Sequence, residues 1–346
     1  MTDAVGPAPS ERGWGKLLLA LAAFLLLPPY TPLRALLPVE DTLLLLMPAL
    51  AACCVVGWWA GGRLLLAVVW VGLSMWMLAQ PAQAGGYFNL VRGWSLLLAG
   101  AFGLVCLFGT ARPFLSRALT ASFLAVTLVL MMSGRGPLTP ARARLAVQTE
   151  LVRRNTESLA MFRTALREHP EVLKSMPQVA SLPTELEGQL HVVAETGTRL
   201  YPSLLLLESL AALALAWGTY HRLSRTRLGA PLGLLKDFRF NDQLVWGLIA
   251  GVTIVFVPAL DFLDTTGRNL LVFFGALYAL RGFGVLSWFL APGALAAASL
   301  VGFAMLWWPV LNSVAVLGFL LLALAAFGLG LGDTWADWRS RARPTT

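Results

Sequence analysis

Long apolar runs constrain this chain more than any other feature of its sequence. Ten of them can be read, and most are separated by short loops. In the hydrocarbon of a bilayer every backbone N–H and C=O group must be paired within the protein, which leaves α-helices or a closed β-barrel. The runs are continuous and rich in Leu and Ala, whereas barrel strands alternate between apolar and polar residues. The sequence therefore predicts an all-α, polytopic transmembrane helical bundle.

The apolar runs predict about ten membrane spans, with eight or nine as alternatives. They comprise residues 14–28, 42–60, 64–79, 90–111, 114–133, 199–220, 244–260, 268–290, 293–308 and 310–331. A span needs about 20 apolar residues, so the first and third runs are candidates for tilted or incomplete spans. The last two runs form one stretch that is too long for a single span. We expect it to break at Pro309, because proline disrupts a helix interior.

Basic residues predict the orientation of these spans. If both termini are cytoplasmic, the inside loops hold thirteen Lys or Arg residues and the short outside loops hold three. This distribution follows the positive-inside rule. The net charge of +8 is thereby explained by membrane orientation, and we do not expect nucleic-acid binding. Three regions are predicted: five N-terminal spans in 1–133, an extracytoplasmic helical insertion in 134–198, and five C-terminal spans with a short cytoplasmic tail in 199–346.

The predicted insertion is polar and reads as a helical hairpin. Its first helix covers approximately 141–169 and carries an apolar stripe with a seven-residue repeat. The stripe consists of Leu145, Val152, Leu159 and Leu166, with Phe162 beside them. A second helix should begin near Pro183, since proline suits a first helical turn, and should run into the sixth span. The hairpin is expected to cap the bundle; a coiled coil that docks a partner and a lid over a cavity are the alternatives.

Two ionisable residues are predicted to lie inside spans. Glu208 interrupts a leucine-rich run in the sixth span, and Arg281 follows Tyr278 in the eighth. A charge near the bilayer centre costs about 2.5–3.5 kcal/mol, and such residues are candidates for function. Counted from the outer helix ends, the two residues differ in depth by roughly 6 Å. They could therefore form an ion pair that joins two helices, or they could face a substrate cavity or proton path.

The sequence does not favour an enzyme. It lacks a Ser/His/Asp set, paired carboxylates within a span, a metal-binding spacing and a phosphate-binding glycine loop. We therefore expect no cofactor, no bound metal and no ATPase activity in the chain itself. Cys53, Cys54 and Cys106 lie in apolar runs and should be buried free thiols.

Three stretches in the C-terminal half carry a family resemblance. They are Phe238–Trp246 (FRFNDQLVW), Leu277–Val285 (LYALRGFGV) and Gly332–Arg339 (GDTWADWR). Their order and spacing resemble the YybS-like family of polytopic bacterial membrane proteins, a domain of unknown function, over roughly residues 199–341. Arg281 stands where many members have Gln. Asp242 and Gln243 replace a region where the family has proline.

The resemblance implies a multi-pass protein of the bacterial cytoplasmic membrane. The helical arrangement of the family has been likened to the substrate-capture subunits of vitamin transporters. The first hypothesis for function is accordingly a solute-binding or permease component that uses a mid-membrane polar patch, with a partner membrane protein or ATPase subunit. The alternative is a non-transporting scaffold or envelope-assembly factor that docks partners through the hairpin. Apart from these, the lipid bilayer is the only expected partner.

The end of the chain holds a charged motif. Asp333 and Asp337 are four residues apart and would share one face if the last helix continues through them to Arg339. Two carboxylates on one face could bind a cation. We instead expect them to pair with Arg225, Arg227 or Arg341.

Overall fold

The structure is a computed structural model that describes residues 36, 38–81, 86–108, 112–133, 139–169, 182–226, 228–290, 293–306 and 309–341. These residues contain no strand and eleven α-helices: α1 Val39–Trp59, α2 Leu64–Ala79, α3 Gly86–Phe108, α4 Phe114–Ser133, α5 Pro140–Glu168, α6 Leu182–Leu223, α7 Val245–Phe256, α8 Asp264–Phe289, α9 Ala294–Leu306, α10 Pro309–Ala336 and α11 Trp338–Arg341. The expected all-α fold is confirmed.

The helices follow the apolar runs closely. The run 64–79 has the bounds of α2, and the run 114–133 has those of α4. The expected break is confirmed, because α9 (Ala294–Leu306) packs against α10 (Pro309–Ala336), which two parts of one straight helix could not do. In the described part of the chain six helices are long and apolar enough to cross a membrane, and three apolar helices are shorter. The first run, 14–28, lies outside the described residues, so ten spans and their orientation stay predictions.

The predicted hairpin is formed by α5 and the first half of α6. Thr139 caps α5 by accepting a hydrogen bond from the Arg142 backbone N–H at 3.3 Å, and Pro140 occupies the first turn. The helix α6 begins at Leu182, close to the expected Pro183, and continues for 42 residues. That length corresponds to about 63 Å, about twice the thickness of the hydrocarbon core. One half of α6 can therefore pair with α5 while the other half forms a span.

The predicted apolar stripe on α5 coincides only in part with the face that packs. Leu145 is 64% exposed and Val152 is 47% exposed, whereas the stripe residue Leu159 is buried together with Val147 and Leu151. The buried face also includes Asn155, whose side-chain amide donates to the Leu190 carbonyl oxygen on α6 at 2.5 Å. A hydrogen-bonded polar side chain can be buried at modest cost. For that reason the repeat of apolar residues alone identified the packed face only in part.

The chain divides into two compact units, residues 1–232 and 233–346. In the first unit α1 packs against α2, α3 and α6, while α5 packs against α6 and α3. In the second unit α8 packs against α7 and α10, and α9 packs against α10. The three cysteines belong to the first unit and are free and buried, as expected.

Candidate functional site

Glu208 lies on a polar face of α6 that contacts α1 and α3. Its carboxylate accepts a hydrogen bond from the Thr42 hydroxyl of α1 at 2.8 Å. The next residue, Ser209, is fully buried and accepts a hydrogen bond from the Trp94 indole of α3 at 2.9 Å. Side chains of α1 and α3 thus form hydrogen bonds with two adjacent residues of α6.

Asp41 is the centre of a charged group beside Glu208. It is 4% exposed, and one carboxylate oxygen accepts from the Tyr87 hydroxyl at 2.6 Å and from Arg154 Nη2 at 3.0 Å. Arg154 also donates from Nε to Glu150 at 2.8 Å, and its guanidinium lies 4.7 Å from the centroid of the Tyr87 ring. Because Arg154 is on α5, this group joins the hairpin to α1 and α3. We call Asp41, Thr42, Tyr87, Glu150, Arg154 and Glu208 the first-unit cluster.

The charges on α5 are stabilised in their ionised forms. Burial raises the pKa of Glu150, but the hydrogen bond from Arg153 and the charge of Arg154 outweigh burial and hold that pKa below its usual range. Burial lowers the pKa of Arg154, and the nearby carboxylate of Asp41 more than compensates, so the net pKa is raised. Arg154 still has a buried Nη1 atom without a hydrogen-bond partner among the described residues. The cluster therefore contains an unused donor on a charged group.

The Asp41–Arg154 pair predicts an asymmetric mutational result. Arg154→Gln should destabilise the protein by about 3–5 kcal/mol, because it leaves the buried Asp41 carboxylate without a cation. Asp41→Asn should cost less, since Arg154 keeps its contact with Glu150. Thermal unfolding in detergent would measure both. The matched control is Arg153→Gln, which removes a half-exposed ion pair and should cost at most about 1 kcal/mol. Equal losses of stability for Arg153→Gln and Arg154→Gln would contradict the assignment of Arg154 as the buried partner of Asp41.

Arg281 of α8 is the centre of a second cluster. It is 3% exposed, and it donates from Nε to Asp333 of α10 at 3.0 Å and from Nη1 to Asp242 at 2.6 Å. Arg339 of α11 donates to the same Asp333 oxygen at 2.5 Å. Arg339 Nη1 also donates to the carbonyl oxygens of Lys236 and Phe238, at 2.9 and 3.1 Å. We call Asp242, Arg281, Asp333 and Arg339 the second-unit cluster.

Aromatic side chains cover one side of the second-unit cluster. The Arg281 guanidinium lies 5.4 Å from the centroid of the Phe240 ring. Phe240 in turn meets Tyr278 edge to face, with the ring centroids 5.1 Å apart. Tyr278 is therefore linked to Arg281 through Phe240. All three stretches that carried the family resemblance contribute to this one place.

Glycines bring α8 and α10 into backbone contact beneath this cluster. A Cβ atom on Gly282 would lie 1.6 Å from the Ala326 carbonyl oxygen, and one on Gly330 would lie 1.9 Å from the Tyr278 carbonyl oxygen. Real Cβ atoms do not approach carbonyl oxygens this closely. The absence of a side chain at these two positions is thus a requirement of the helix contact that positions Arg281 against Asp333.

The expectation for the tail motif needs correction. Asp333 pairs with Arg281 and Arg339, neither of which was expected as its partner. Asp333 and Asp337 do not share a helical face, because α10 ends at Ala336 and Asp337 has a positive φ of 40°. Asp337 is half-exposed and pairs with Arg239 at 2.5 Å.

The two predicted intramembrane charges have separate partners. Glu208 bonds to Thr42 in the first unit, and Arg281 bonds to Asp242 and Asp333 in the second. Each of these charges therefore has hydrogen-bond partners within its own unit.

The protein family described as "Predicted membrane protein (DUF2232)" matches residues 65–320. The chain belongs to this family. The membership confirms the resemblance to YybS-like membrane proteins. No curated protein and no solved structure matches the chain.

The DUF2232 match covers most, but not all, of the two clusters. Arg154, Glu208 and Arg281 fall within residues 65–320, whereas Asp41 precedes that range and Asp333 follows it. The match also begins well before residue 199, where the resemblance began. The family description identifies a membrane protein and states no activity.

Several cluster residues carried no usable signal in the sequence. Asp41 stands at the edge of an apolar run and reads as a loop residue. Arg154 is one of several arginines on α5, and only the fold shows which of them faces the bundle. The same is true of Arg117, which is not a member of either cluster. It reads as a loop cation, yet on α4 it is fully buried and donates to the Leu228 carbonyl oxygen at 2.6 Å. The described residues hold no group of three or more His, Cys, Asp or Glu that could bind a metal ion.

Proposed function

We propose that this protein is a solute-binding or permease component of a transport process in the cytoplasmic membrane of a bacterium, and that its solute contacts the first-unit cluster. The observation that carries the proposal is the position of Glu208. It is an ionisable residue in the middle of a spanning helix, and its described partner is a neutral hydroxyl. Ionisable groups in such positions commonly mark the path of a substrate or proton.

The arrangement of helices supports binding at this place. Groups of both charges come from different helices, with Asp41 on α1, Glu208 on α6 and Arg154 on α5. The unused Nη1 donor of Arg154 is available to an acceptor on a solute. Since Arg154 belongs to the hairpin, a movement of α5 away from α1 would break its bond to Asp41 and uncover the carboxylates. The hairpin would then act as a lid.

Transport through this site needs an energy source outside the site itself. Because the sequence contains no phosphate-binding glycine loop, the energy would come from an ion gradient or from a separate ATPase subunit. If an ion gradient supplies the energy, Glu208 would be the residue that carries a proton. If an ATPase supplies it, the ATPase would be a partner protein.

The second candidate function is a scaffold that docks partners through the hairpin. It is favoured by apolar side chains exposed on the hairpin helices, namely Leu145, Val152 and Met161 on α5 and Val192 on α6. Exposed apolar side chains that lie together are typical of protein interaction surfaces. This function would depend on these side chains and would not require Glu208.

A comparison of two glutamates on α6 tests the proposal. In a strain that lacks the gene, expression of the parent protein should change the intracellular amount of at least one small solute, measured by metabolite profiling. Glu208→Gln should abolish that change while the protein still accumulates in the membrane. Glu195→Gln is the control, because Glu195 is exposed and pairs with Arg199 one helical turn away.

Two results would argue against transport. If Glu208→Gln changed the intracellular solute amounts as the parent protein does, Glu208 would not be needed, and the proposal would lose the observation on which it rests. Loss of the profile in Val152→Lys, with Glu208→Gln unaffected, would favour the scaffold.

A further inference from the structure

An apolar groove lies on the first unit, and no residue of the first-unit cluster lines it. The helices α2 and α3 each pack along α1, and a cavity of about 470 Å³ remains between them. Its floor includes the buried Ala51 and Ala99, and Gly100 is an exposed residue of its lining. Its rim includes Met75 of α2 and Leu104 of α3, which are 66% and 50% exposed. Small side chains on the floor and larger ones on the rim create the depth of the groove.

The dimensions of the groove suit a hydrocarbon chain. On α3 the lining extends from Leu96 to Leu107, which corresponds to a length of about 16 Å. The cavity volume falls within the range of small-molecule sites, about 300–1,000 Å³. A slender apolar chain therefore fits this groove.

A cation lies at one end of the groove. Arg92 is on α3, one turn before the lining residue Leu96. Its guanidinium lies 4.0 Å from the centroid of the Phe88 ring, and Nη2 donates to the carbonyl oxygen of Gln80 at the end of α2. Its Nε atom is buried and has no hydrogen-bond partner, and no carboxylate in the described part of the chain pairs with it. The positive charge of Arg92 is thus available to an anion.

The position of Arg92 matches the level of a lipid headgroup. It is six residues from the start of α3 at Gly86, about 9 Å along the helix axis. Arginine side chains near helix ends extend toward the membrane interface. An anionic group bound there would be followed by a chain that runs down the groove toward Leu107.

We propose that this groove is a specific phospholipid site, in which one acyl chain lies between α2 and α3 and the phosphate contacts Arg92. The proposal is independent of the transport function, because no residue of the first-unit cluster lines the groove. Two features distinguish this site from the rest of the lipid-facing surface. They are the volume between the helices and the unpaired cation at its end.

The test uses variants of the full chain and three added compounds. Gly100→Leu fills the groove, and a Cβ atom there meets nothing within 4 Å, so the variant should fold. Gly93→Leu is the matched control, since it makes the same change on α3 in open space outside the lining. Arg92→Gln removes the cation. The compounds are lysophosphatidylglycerol, a monoacylglycerol with the same chain, and glycerol 3-phosphate, and the readout is the thermal unfolding midpoint in detergent.

The expected pattern separates the contribution of the acyl chain to binding from that of the phosphate. In the parent and in Gly93→Leu, lysophosphatidylglycerol should stabilise most, monoacylglycerol less, and glycerol 3-phosphate not at all. Gly100→Leu should lose the response to both lipids. Arg92→Gln should bind lysophosphatidylglycerol about tenfold more weakly, close to its affinity for monoacylglycerol.

Other patterns would overturn the proposal. A response of Gly100→Leu equal to that of the parent would show that the lipid binds elsewhere. Equal affinities of the parent for the two lipids would remove the role of Arg92. If Gly100→Leu does not fold, mass spectrometry of phospholipid that copurifies with the parent and with Gly93→Leu decides. If no phospholipid copurified with either protein, the site would be excluded.

Discussion

Gly330→Ala is expected to destabilise the second unit by about 3 kcal/mol or more, at the upper end of the cost of overpacking. The added Cβ atom would lie 1.9 Å from the Tyr278 carbonyl oxygen and 2.7 Å from the Gly282 backbone nitrogen. Backbone atoms cannot rotate away as a side chain can, so α8 and α10 must separate. Separation would also stretch the bond between Arg281 and Asp333. Thermal unfolding of the purified protein in detergent measures the loss.

Gly328→Ala is the matched control on the same helix. A Cβ atom at position 328 meets nothing within 4 Å. Replacing glycine by alanine in a helix gains up to about 1 kcal/mol from helix propensity, so this variant should be as stable as the parent or more stable. Equal behaviour of the two variants would mean that α8 and α10 are not in backbone contact at Gly330.

Asp333→Asn is expected to cost about 3–5 kcal/mol, the typical loss when one partner of a buried ion pair is removed. The Asp333 side chain is fully buried and lies between Arg281 and Arg339, each of which is 3% exposed. Removal of its charge leaves two buried cations, and Asp242, which is largely exposed, is the acid that remains beside Arg281. The free energy of unfolding and the yield of folded protein should both fall.

Asp337→Asn provides the comparison for Asp333→Asn. The Asp337 carboxylate is half-exposed in its pair with Arg239, and such surface pairs contribute at most about 1 kcal/mol. The double variant Asp333→Asn/Arg339→Gln should recover part of the loss, because it also removes one of the uncompensated cations. Similar losses for the two single variants would contradict the cluster, since they would show that both carboxylates are equally solvated.

The helices of this protein could be predicted from the sequence because their main determinant is local. Each apolar run must satisfy its own backbone hydrogen bonds in lipid, and α2 and α4 accordingly have the predicted bounds. The break before Pro309 and the start of α6 beside Pro183 were predictable for the same reason, since the effect of proline on a helix is confined to its own neighbourhood. Glu208 and Arg281 stood out because charges are rare in such runs.

The partners of these charges depended on the tertiary structure. Gly328 and Gly330 are equivalent in the sequence, yet only the second lies against another backbone. Arg153 and Arg154 are neighbours, yet only Arg154 reaches Asp41. One residue along a helix changes the direction of a side chain by about 100°, because a turn contains 3.6 residues. Which direction meets another helix is decided by packing between segments far apart in the chain, and no local pattern encodes that rotation.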